Sequence, residues 1–199
     1  MSAPVSYTRE DLAGFQPRHG SFVGVDSDGC VFDTMEAKQK GCFHPLIIKH
    51  WGLEGIAPLL RETAEFVNLH SRWRGRNRFP CLLTTFDLLR ERPEVAVGKT
   101  QLPEFTSLRR WIESAPALSN ATLAEEVART GDRELASVLA WSEAVSSDVA
   151  AKVRHAPPFP WAKPSLELIH RHSDVICVSQ TPVEALVREW SANGLDGLV

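Results

Sequence analysis

Two short apolar runs, Phe22 to Asp26 and Asp174 to Ser179, stand apart from the rest of the chain, each ending in polar residues at its carboxyl end. Runs this short and this continuous predict buried strands of a parallel sheet. Between them, apolar residues recur at three- and four-residue spacing. The stretch is broken by Pro58, Pro80, Pro93, Pro103, Pro116 and the cluster Pro157, Pro158, Pro160 and Pro164, a pattern that predicts helices and no strands. The clearest helix runs from Arg133 to Val153, with Leu135, Val138, Leu139, Ser142, Val145, Val149 and Val153 on one face and Asp132 as its N-cap. Another follows Thr122, whose hydroxyl pairs with Glu125 in a predicted capping box. Leu82, Leu83 and Phe86 mark a further helix, and so do Phe105, Leu108, Trp111 and Ile112.

From Pro164 the pattern becomes a helix (Leu166, Leu168, Ile169), the second strand, and a helix opened by Pro182 and stopped at Asn193-Gly194. Gly194-Leu195-Asp196-Gly197-Leu198-Val199 reads as the lead into a third strand. The alternation predicts an α/β core made of residues 1–34 and 164–199, with an all-helical insertion over residues 35–163.

Composition narrows the function classes only a little. The chain has 199 residues, 43% of them hydrophobic, and a net charge of -3, so it can bury a core and carries no global field that selects nucleic acid or an acidic membrane. No apolar run approaches the roughly 20 residues that span a bilayer, and the opening MSAPVSYTRE lacks the basic-then-apolar layout of a secretory signal. A cytoplasmic protein without membrane or nucleic-acid partners is therefore expected. Cys30, Cys42, Cys81 and Cys177 form no CxxC pair and suggest neither a zinc site nor a disulfide framework. His170 and His172, two apart on a predicted helix, point to different faces and make no metal constellation.

The chemistry concentrates at the tip of the first strand. Asp26 and Asp28 lie two positions apart where the strand ends and Gly29 lets the chain turn. Ligands collect at the carboxyl ends of strands in open α/β sheets, so both acids are expected at the mouth of a site. Two close carboxylates repel unless one is protonated or a cation neutralises them. Magnesium, a hard ion that prefers oxygen ligands, suits the pair. The competing reading is a simple turn cap.

The run Asp26-Ser27-Asp28-Gly29-Cys30-Val31-Phe32-Asp33-Thr34 resembles the first motif, DxDGxxxDT, of the haloacid-dehalogenase (HAD) superfamily of hydrolases. The resemblance implies a Rossmannoid α/β core with a helical type-one cap. It makes Asp26 the nucleophile and Asp28 the acid and base, with Mg2+ bound by the Asp26 carboxylate and the Asp28 backbone carbonyl. Asp28 favours phosphoryl over carbon-halogen chemistry, because dehalogenases of the superfamily lack the second acid. The strand ending in Ser179 is similar to the second motif and implies that Ser179 holds a phosphoryl oxygen. As a simple cap, Ser179 or Thr181 would serve the following helix instead.

The implied function is a magnesium-dependent phosphatase acting on a small phosphorylated metabolite through an aspartyl-phosphate. Phosphomutase or phosphonate hydrolase activity is the close alternative, and an inert binding or assembly subunit is the distant one. The family's later basic residue and acidic pair have no counterpart here, and nothing in the spacing of Lys163 marks it as a substitute. An incomplete parallel sheet is thus expected, with a second chain as one way of completing it. Within the cap, Arg72, Arg74, Arg76 and Arg78 alternate beside Trp73 and Phe79. They read either as a contact for an anionic substrate or as a solvated basic loop with one or two ion pairs.

Overall fold

The computed structural model describes residues 9–98, 100–153, 156–181 and 183–199. In chain order the elements are α1 (Arg9–Ala13), β1 (Phe22–Val25), α2 (Met35–Lys38), α3 (His44–Trp51), α4 (Ala57–Glu65), α5 (Arg78–Arg90), α6 (Pro93–Val97), α7 (Thr106–Ser114), α8 (Asn120–Thr130), α9 (Arg133–Lys152), α10 (Ala162–His170), β2 (Asp174–Cys177) and α11 (Val183–Ala192). Two π-helical turns, Gln39–Phe43 and Phe66–His70, continue α2 and α4.

The expectation of an α/β fold with a Rossmannoid core is overturned. Helix accounts for 64% of the residues, and the described residues form a sheet of two parallel strands, well short of a complete Rossmann-like core. The segment expected to lead into a third strand shows why. Residues Asp196–Leu198 wind into a 3-10 turn, Leu195 is fully buried with its amide donating to the Trp190 carbonyl at 3.0 Å, and the Leu198 carbonyl lies 3.2 Å from His170 Nδ1. The two leucines satisfy their backbone groups on α10 and α11, so this segment is wound and not extended.

The chain divides into two compact units, one made of residues up to Met35 together with Val153–Val199, the other of Glu36–Lys152. In the first, β1 and β2 pair from Phe22 with Asp174 to Val25 with Cys177. Val31, Phe32, Leu166, Val175, Trp190 and Leu195 form its core. The Phe159 amide donates to the Val31 carbonyl at 2.8 Å and fastens the returning chain to the loop after β1.

The second unit is entirely helical among the described residues. Its core collects the apolar stripe of α9 (Leu135, Val138, Trp141, Val145) with Leu82, Phe86 and Leu89 of α5 and Leu108 and Trp111 of α7. Trp51 meets Phe86 and Phe105 edge-on, with ring centroids 5.5 Å away in each case. The predicted Asp132 cap forms, its Oδ1 accepting from the amides of Glu134 at 2.8 Å and Leu135 at 3.0 Å. The predicted box at Thr122 and Glu125 does not. Ser119 is the N-cap of α8, and Thr122 is the residue that answers it.

Candidate functional site

The site is built from the two strand tips of the first unit. Parallel pairing brings Val25 beside Cys177, and the Val178 amide extends the ladder to the Val25 carbonyl at 2.8 Å. Both chains therefore leave the sheet side by side, one into Asp26-Ser27-Asp28 and the other into Ser179-Gln180-Thr181.

After β1 the backbone closes a tight turn. The Ser27 carbonyl accepts from the amides of Val31 and Phe32, both at 3.0 Å, and the Gly29 amide donates to the Phe32 carbonyl at 2.8 Å. Gly29 has φ 73°, a left-handed conformation that is cheap only without a Cβ. The turn is pinned from beneath: Ser27 is fully buried and its Oγ accepts from Trp190 Nε1 of α11 at 3.1 Å, while the Trp190 ring meets Phe32 edge-on. The alternation is what matters for chemistry, because Ser27 points into the core and leaves its two acidic neighbours outside it.

Asp26 is exposed, and its Oδ1 accepts from the Ser27 amide at 2.7 Å. Asp28 is half-buried. Its Oδ1 accepts from the hydroxyl of buried Thr34, and its Oδ2 accepts from Thr181 Oγ1 at 2.8 Å. The second bond joins the two strand-tip loops directly. Ser179 is also half-buried, with its Oγ accepting from the Thr181 amide at 3.2 Å, so its own hydroxyl proton remains available to a further acceptor. Pro182, expected to open the next helix, lies outside the described residues. Burial first, and then the charges of Asp26, Asp28 and Cys30, push the Cys177 thiol up to about 11, placing both acids within electrostatic reach of one sulfur.

No family model matches this chain. Neither a curated protein nor a solved structure matches it.

The structure thus brings together Asp26, Asp28 and the loop of Ser179, three residues singled out in the sequence. Lys163 is exposed on α10 with no ion pair among the described residues, and Asp33 is exposed as well. Nothing in the sequence pattern marks Thr34, Thr181 or Trp190 as holding the acids. For Thr34 and Thr181 the signal was only a hydroxyl residue near each motif, and for Trp190 a single aromatic on a helix. In the helical unit, buried Lys38 was likewise unmarked. The donors at the strand tips are all oxygens, which fits magnesium in kind, although no three His, Cys, Asp or Glu side chains gather around a metal position among the described residues.

Proposed function

We propose that this protein is a HAD-like phosphatase acting on a small phosphorylated metabolite. The hydrogen bond between Thr181 and Asp28 carries the reading, because it ties the loop of the nucleophile to the loop of the phosphate-holding serine. Asp26 has one carboxylate oxygen occupied by its neighbour's amide, and the other attacks phosphorus. The bond from phosphorus to the leaving oxygen breaks as Asp28 supplies a proton, giving an alcohol and an aspartyl-phosphate. Water then attacks that phosphorus while Asp28 takes a proton back, releasing inorganic phosphate and restoring Asp26. Ser179 donates its hydroxyl to a phosphoryl oxygen throughout. Mg2+, held by the Asp26 carboxylate and the Asp28 carbonyl, would offset the negative charge shared between nucleophile and phosphate.

The test is phosphate release from a panel of sugar and nucleotide phosphates with Mg2+ present, beside an Asp26→Asn control. Release abolished by that substitution supports the reading, and release that survives it refutes the assigned nucleophile. The same panel extended to phosphonates and to phosphosugar isomerisation separates hydrolase from mutase.

A second reading, an inert binding or assembly subunit, draws on the thinness of the sheet. Phe22 on β1 is 69% exposed, as an unfinished sheet would leave it, and a second chain pairing there would complete the layer. Absence of release from every substrate, with the chain folded, favours this alternative.

A further inference from the structure

The four alternating arginines form no ion pair among the described residues, although Arg90, Arg92, Arg109 and Arg129 of the same helical unit each hold an acid. Arg72, Arg74 and Arg76 are exposed, with Arg72 resting on the Trp73 ring at 5.0 Å. Arg78 differs. It is half-buried at the first position of α5, a helix with no acid in its first turn to offset the positive end of its dipole. Its guanidinium carbon lies 5.3 Å from the Phe43 ring centroid. Its Nη1 donates to the Ser142 carbonyl at 2.9 Å and to the hydroxyls of Ser142 and Ser146, both at 3.0 Å. Ser142 in turn donates to Asn120 at 2.6 Å, and Asn77, the cap of α5, donates to the Leu118 carbonyl at 2.8 Å.

Every partner of Arg78 is therefore neutral and one face of the group lies against a ring. Nε and Nη2 donate to no acceptor among the described residues and neither is fully enclosed, so that edge of the fork keeps some access to solvent. Burial of this cation lowers its pKa to about 10. A partly desolvated, pre-oriented guanidinium with a two-donor edge left unbonded gains from a planar pair of anionic oxygens.

We propose that the Nε and Nη2 edge of Arg78 is a binding site for the carboxylate or phosphate group of a small molecule. The site lies wholly within the helical unit and does not depend on the role assigned to Asp26. A polyanion such as RNA would instead engage the exposed Arg72, Arg74 and Arg76.

The experiment titrates the full chain with inorganic phosphate and, separately, with acetate at constant ionic strength, following the Arg78 Nε–H resonance by NMR. A saturable shift with either probe is expected, and the stronger responder identifies the favoured oxyanion. The shift should persist in Asp26→Asn and in a triple variant with Arg72, Arg74 and Arg76 changed to Gln. In Arg78→Lys, which keeps the charge but loses the fork, saturable binding followed at the Phe43 ring signals should weaken roughly ten-fold or more. No saturable shift in the unmodified chain overturns the proposal, whether or not Arg78→Lys folds. So does binding that the triple variant abolishes, which would mark a diffuse polyanion surface.

Discussion

Asp28 is fixed by two hydroxyls from opposite sides of the site, one in its own loop and one after β2, and this clamp distinguishes it from exposed Asp26. Replacing Thr181 with Val keeps the shape and removes the donor that crosses between the loops. We expect the chain to lose about 1 kcal/mol of stability, read as a lower urea midpoint, because a part-buried acceptor loses its partner. If the proposed chemistry holds, turnover should fall by more than the change in stability explains; an unchanged midpoint would show that the bond contributes nothing. In the turn after β1, Ser27 is turned inward to meet Trp190, Asp26 is exposed, and Asp28 is half-buried between its two hydroxyl partners.

At the scale of elements, the helices show how much local pattern conveys. α9 was legible because its apolar stripe and its cap agree, and Asp132→Ala should lower stability by about 1 kcal/mol in a denaturant titration. Asp132→Asn should retain most of the difference. α8 was harder, since Ser119 and Thr122 both offer capping hydroxyls three residues apart and only the backbone decides between them. Ser119 is extended, with φ -138° and ψ 164°, and so takes the cap. The strands were found, and their alignment brought the predicted acids and serine loop together. The third strand failed for a physical reason: an apolar tail with two glycines is compatible with extension or with a turn, and a nearby pair of helices offering buried contacts selects the turn. Nor did sequence distinguish Arg78 from its three neighbours, because its half-burial depends on Phe43 and α9, both remote in the chain.

For the molecule as a whole, stability should depend on pH through His44. This side chain is fully buried, neither ring nitrogen finds a hydrogen bond among the described residues, and its pKa is lowered from 6.5 to about 4. Burial is the main cause, reinforced by the charges of Arg61 and Lys40 and opposed by Glu65. The folded protein keeps the ring neutral while the unfolded chain binds a proton below its ordinary value. Stability is therefore unaffected above pH 6.5 and falls as the pH drops toward 4, by roughly 3 kcal/mol at the lower limit. His44→Leu should remove that component, and the difference between the two urea-midpoint profiles isolates it from the carboxylates. Parallel profiles would rule out the histidine as the source.

The contiguous helical block also sets a timetable. β1 leaves the ribosome before the strand it pairs with, which follows ~150 residues later, roughly ten seconds or more at common synthesis rates. Throughout that interval Phe22 and its neighbours have backbone groups without a mate, while the helical unit already has its whole sequence in hand. Over that interval β1 is open to capture by another strand or by chaperones, and the loop bearing Asp26 cannot settle against the loop of Ser179 until β2 has been made.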